Sequence, residues 1–60
     1  MDLRELYLRN VDFVWRSLRR LGVPESDVAD SVQEVFLVAF RRMDQFEGRA
    51  RWTTWLYRIC

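Results

Sequence analysis

Residues 24–46 read PESDVADSVQEVFLVAFRRMDQF, and this stretch decides the fold. Projected at ~100° per residue, Val28, Val32, Val35, Phe36, Ala39 and Met43 gather into one apolar stripe. The spacing predicts a helix that begins at Pro24 or Ser26 and reaches about Asp44. Pro suits a first helical turn, and Glu25, Asp27 and Asp30 place negative charge near the N-terminus, where the helix dipole favours it. The opposite face carries Asp30, Gln33, Glu34, Leu37 and Arg41. Leu37, flanked by Val38, stands among acids, an amide and an arginine. A polar rim around an apolar residue has the composition of a partner-binding patch. Single surface leucines are also ordinary, so the residues leave both readings open.

Upstream, Leu3, Tyr7, Val11, Val14, Leu18 and Leu21 recur at intervals of four and three, which predicts a helix from about Asp2 to Leu21. Arg9, Arg16, Arg19 and Arg20 fall on its far side. Gly22 and then Pro24 stop it. Downstream, residues 46–60 read FEGRARWTTWLYRIC. Gly48 with its charged neighbours makes a turn. Trp52, Trp55, Leu56 and Ile59 then restart a helix near Trp52 that is still running at Cys60, so the sequence reads as a fragment. Arg49, Arg51 and Arg58 interleave there with Trp52, Trp55 and Tyr57. Arginines for phosphates beside rings for unstacked bases are what single-stranded nucleic acid asks of a protein. The same spacing also puts both tryptophans on a core face. Core packing and base contact both remain open on the residues alone.

Composition narrows the function. Half of the 60 residues are apolar and 15% are aromatic, which suits a folded but thin core. Histidine is absent and Cys60 is the only cysteine. The usual zinc spacings, an internal disulfide and Ser-His or Cys-His catalytic pairs are therefore excluded. No enzyme, metal or cofactor is expected, though Cys60 is available to lock a dimer under oxidising conditions. No apolar run approaches the ~18 residues of a membrane span, and MDLRELYLRN is too charged for a signal peptide, so a reducing cytoplasm is expected. Net charge is +1, and every basic residue is arginine. Arginine suits phosphate and base contact, but a genome rich in G and C also favours its codons.

The ordered residues Asp30-x-x-Gln33-Glu34-x-x-Leu37, then Phe46-x-Gly48, then Thr54-Trp55-Leu56-x-x-Ile59 carry a resemblance. The segment DSVQEVFLVAFRRMDQFEGRARWTTWLYRI resembles region 2 of bacterial RNA polymerase sigma factors of the extracytoplasmic-function (ECF) type. The preceding YLRNVDFVWRSLRRLGV looks like the first helix of the same domain, so the likeness covers nearly the whole chain. It implies an all-α, three-helix sigma region 2 domain over residues 1–60, incomplete at its C-terminus and with the last helix truncated.

The resemblance also implies roles by position. Asp30, Gln33, Glu34, Leu37 and Arg41, with Phe36 and Phe40 as contributors, would bind the β′ clamp helices of core RNA polymerase. Arg49, Arg51, Trp52, Thr53, Thr54, Trp55 and Arg58 would capture the non-template strand of the promoter −10 element as the duplex opens. An anti-sigma partner is implied, as is association with the nucleoid when bound to polymerase. Membrane and small-molecule substrates are not expected. Housekeeping sigma factors carry two adjacent tryptophans at the melting position; here Leu56 follows Trp55, as fits the ECF branch. The −10-reading helix and the −35-reading helix-turn-helix domain are expected to lie outside the chain. Two readings from other classes stand beside this one: a small helical module that binds a partner helix through residues 30–41 and never touches DNA, and a helix-turn-helix reader turning at Gly22-Val23-Pro24. The second would start its reading helix with acids that phosphates repel.

Overall fold

The fold starts from a helical hairpin. In the computed structural model, which describes residues 2–46, 48 and 51–60, α1 spans Leu3–Arg20 and α2 spans Glu25–Arg41. Asp2 caps α1: its carboxylate accepts a hydrogen bond from the Glu5 amide at 2.8 Å, filling one of the donors a helix start leaves free. At the other end the Gly22 N–H donates to the Arg19 carbonyl and the Val23 N–H to the Leu18 carbonyl, each at 3.1 Å. That pair of bonds is the Schellman closure, and it needs a left-handed residue, which Gly22 supplies at φ 99°. Val23 then packs against the core and Pro24 caps α2. So short a turn folds α2 back along α1.

The α2 stripe is where the spacing placed it. Val28, Val32, Val35, Phe36 and Ala39 are buried, and Met43 packs on them from just beyond the helix. The α-helix ends earlier than expected, at Arg41. The chain tightens there into a 3-10 turn over Met43–Gln45, where Gln45 and Phe46 donate to carbonyls three residues back.

The α1 stripe is rotated from the expected one. Leu6, Asn10, Val14, Ser17 and Leu18 face inward, whereas Tyr7 and Leu21 are largely exposed. Asn10 and Ser17 hid this register. Each satisfies itself within the helix, Asn10 Nδ2 donating to the Leu6 carbonyl at 2.9 Å and Ser17 Oγ to the Phe13 carbonyl at 2.8 Å. Two polar residues can therefore occupy core positions, and among the described residues no buried side-chain nitrogen or oxygen lacks a partner.

Helix α3, Trp52–Ile59, lies across both members of the hairpin. Eight residues are too few to hold a helix in water unaided. Leu56 is its one fully buried side chain, with Trp52, Trp55 and Ile59 half-buried around it. The all-α architecture follows, with no strand among the described residues.

Leu56→Ala should therefore cost about 2–5 kcal/mol. Domains this small seldom hold more than ~3–5 kcal/mol in total, so thermal unfolding followed by circular dichroism should show α3 lost and the hairpin near its melting point at room temperature. Gly22→Ala meets no atom within 4 Å. Its cost is backbone strain alone, about 1 kcal/mol or more, and a melting curve indistinguishable from the parent would contradict this account of the turn.

Candidate functional site

Two surfaces carry the residues singled out by sequence. The first is the outer face of α2. Asp30, Gln33, Glu34, Leu37, Phe40 and Arg41 are all exposed, with Leu37 at 55% and Phe40 at 58%. These are large apolar areas to leave in water, and their polar neighbours frame them. Phe36 is different. It is 5% exposed and belongs to the core, where its ring meets Tyr7 edge-on at 4.9 Å between centroids. As a contributor to a partner surface it is placed only to show an edge between α1 and α2. The α1 side of this surface escaped sequence reading, because the expected stripe assigned Leu3 and Tyr7 wholly to the core. The overlap of two apolar registers on α1, one through Leu3 and Tyr7 and one through Leu6 and Val14, was the signal available.

The second surface is α3. The spacing left Trp52 and Trp55 between core packing and base contact; both rings lean on the core, and both also meet Phe46. Phe46 stacks on Trp52 with centroids 3.8 Å apart and planes 23° apart, and it tilts against Trp55 at 5.5 Å. The two tryptophans stand edge to face at 5.5 Å. One face of Trp52 is thus already covered by a ring of the chain itself. Sequence reading used Phe46 only in the Phe46-x-Gly48 pair of the resemblance, since stacking across a turn leaves no periodic trace.

Outside this cluster, Arg51 caps the helix with Thr54 and Arg58 at three and seven residues beyond it, and all three are exposed. Helical spacing puts them on one side. Thr53, half-buried, sits round the helix from them. Arg49 lies outside the described residues. The α3 side is therefore a pair of cations and a hydroxyl next to the partly open Trp55. What it can do is hold phosphates and cover a base.

Among the described residues no cluster of His, Cys, Asp or Glu could hold a metal, and no helix is long and apolar enough to cross a membrane. Cys60 is half-buried beside Ile59, and burial pushes its thiol up from the ordinary value, against a smaller lowering by a backbone hydrogen bond.

The hairpin thus presents an exposed Asp-x-x-Gln-Glu-x-x-Leu face and carries an arginine-bearing aromatic helix across it. Residues 6–60 match Sigma-70 region 2, and the chain belongs to that family. It is 54% identical over 37 residues to the ECF RNA polymerase sigma-E factor of Escherichia coli (strain K12), a stretch that covers 62% of this chain and 19% of that protein. The sigma-E factor of Salmonella typhi gives the same identity and coverage. The RNA polymerase sigma factor NccH of Alcaligenes xylosoxydans xylosoxydans is 43% identical over 44 residues, covering 73% of this chain and 24% of NccH. These relatives make the chain a region 2 of the ECF type, and it spans about a fifth to a quarter of their length. No solved structure matches it significantly.

The Cys60 environment yields a pH prediction. The folded chain keeps the thiol protonated, so this contribution to stability is complete below the unfolded thiol pKa and disappears as pH rises through the raised folded value. Iodoacetamide should alkylate Cys60 more slowly than free cysteine near neutral pH, with a rate midpoint displaced to higher pH, and urea should restore the ordinary profile. A folded-state midpoint at or below that of free cysteine would contradict the burial. The same scarcity of thiolate slows any disulfide-linked dimer.

Proposed function

We propose that this chain is the polymerase-docking and promoter-opening module of an ECF-type sigma factor, acting in the bacterial cytoplasm and at the nucleoid when bound to polymerase. The observation that carries the reading is the α2 face. Asp30, Gln33, Glu34 and Leu37 are exposed together on a rigid helix whose other side is the core, inside a chain of the Sigma-70 region 2 family.

On this reading the α2 face, extended by Phe40 and Arg41, docks on the β′ clamp helices of core polymerase. Leu37 and Phe40 provide the apolar centre, and the charged and amide groups fix orientation, as a desolvated patch within a polar rim does. Arg51, Thr54, Arg58 and Trp55, with Arg49, take the non-template strand of the −10 element. Arginines hold the backbone while the tryptophan edge shelters an extruded base, a transfer that costs a few kcal/mol of unstacking for each base. Trp52 and Thr53 support that surface from the core side, and Trp52 becomes a second platform only if Phe46 withdraws. The chain performs no covalent step; binding energy is exchanged for strand opening. An anti-sigma factor that covers the α2 face would keep polymerase away.

The test titrates the reduced chain with a β′ clamp-helix hairpin and with single-stranded −10 DNA at about physiological salt. The hairpin should bind more tightly, because the α2 face is whole and a net charge of +1 attracts nucleic acid little. Glu34→Arg should weaken the hairpin complex by ~2 kcal/mol or more with helicity unchanged. Equal affinity for parent and variant overturns the docking assignment, and tighter sequence-specific binding to DNA moves recognition into residues 46–60. For the DNA surface, Arg51→Ala and Arg58→Ala should each reduce the salt slope of single-strand binding by about 0.7; unchanged slopes remove these arginines from the interface.

A further inference from the structure

Phe46 is held differently from its neighbours. Met43, Trp52 and Trp55 pack against the core, and among the described residues Phe46 does not join them. Its backbone is anchored, because its N–H donates to the Met43 carbonyl at 3.1 Å and closes the 3-10 turn. Its ring rests on the two tryptophans instead, flat on Trp52 at 3.8 Å and tilted against Trp55 at 5.5 Å. Phe46 is half-buried, and it covers a part of Trp52 that the core does not. Swinging it aside needs rotation of one side chain, with no backbone hydrogen bond broken and no buried residue moved.

The strength of the stack decides what can open it. A pair of rings favours the closed arrangement by about two- to tenfold. A nucleic-acid base stacked on an aromatic side chain gains on the order of five- to a hundredfold. A free base therefore wins the place, and the ring it displaces lowers the apparent affinity only by the closed-to-open ratio. A base inside a duplex is already stacked and paired, so it cannot compete. Arg51, exposed and next to Trp52 in the chain, is placed to hold a phosphate and so to raise the local concentration of the bases beside it.

We propose that Phe46 is a built-in stand-in for an unstacked base: it closes the face of Trp52 until a single strand arrives, and a base then takes its place. This deepens the reading of α3 as the strand-capturing side and rests on it. Phe46 is on this account a specificity-determining residue. It keeps an apolar tryptophan face from meeting other surfaces while no strand is present, and it admits only bases that have already left a stack. Trp55 stays the open platform and Trp52 the gated one.

The experiment follows binding of a labelled single-stranded dA oligonucleotide to the reduced chain by fluorescence anisotropy. Phe46→Leu keeps an apolar side chain and removes the flat ring. It should bind the strand about two- to tenfold more tightly than the parent, with helicity by circular dichroism unchanged. The gain should vanish when Trp52→Leu is added, because it belongs to the uncovered ring. Equal or weaker binding by Phe46→Leu overturns the inference, as does a gain that survives loss of Trp52. A second measurement needs no substitution. In the parent, the Trp52 ring current shifts the Phe46 ring protons, and saturation with the strand should return them toward ordinary phenylalanine positions. Phe46 signals that stay in place at saturation overturn the inference whatever the variant does. If the parent still binds with a salt slope that falls in Arg51→Ala, the α3 reading stands without it. No binding of the strand by parent or variant removes both.

Discussion

The burial of one stripe of α2 against α1 constrains everything else in this protein. Once Val28, Val32, Val35, Phe36 and Ala39 point inward, the ~100° step of the helix leaves Asp30, Gln33, Glu34, Leu37 and Arg41 no choice but to point out. The two faces are one fact seen from opposite sides. The branched side chains of the stripe hold the rotation of α2 about its axis, and that rotation sets which groups a partner meets. A binding face built on such an element needs no loop to position it and pays little ordering entropy on contact.

Helix α3 stands in a different relation to the core. Its attachment rests on Leu56, with Ile59, Cys60 and a ring cluster of Phe46, Trp52 and Trp55 around it. Local stability within a domain follows the density of buried contacts, so α3 belongs to the less stable part and the hairpin to the more stable part. Rings held by stacking on a neighbouring ring can exchange that contact for a base of similar shape, whereas rings locked in the interior cannot.

The same division explains how the proposed surfaces differ in chemistry. The α2 face mixes an apolar centre with acids and an arginine in fixed places, which suits discrimination between helices by charge pattern. The α3 side carries arginines, a hydroxyl and half-open rings without carboxylates among them, which suits a polyanion read by stacking. One small core supports both because they lie on separate helices and share no side chain.

Much of this was legible in the sequence. The two faces of α2, the stop at Gly22 and the restart of a helix at Trp52 follow from periodicity and from the backbone habits of glycine and proline, which act within a few residues of chain. The order of residues from Asp30 to Ile59 carried the family. What only the tertiary structure decided was how the helices meet. Asn10 and Ser17 are polar by composition yet buried, because each bonds a carbonyl of its own helix, and this turned α1 so that Leu6 went in and Tyr7 came to the surface. The stacking of Phe46 on Trp52 joins residues separated by a turn, and the tightening after Arg41 that brings them together is a response to packing. Local sequence specifies which side of each helix is apolar; the rotation at which two apolar sides fit is settled only by the shapes that meet.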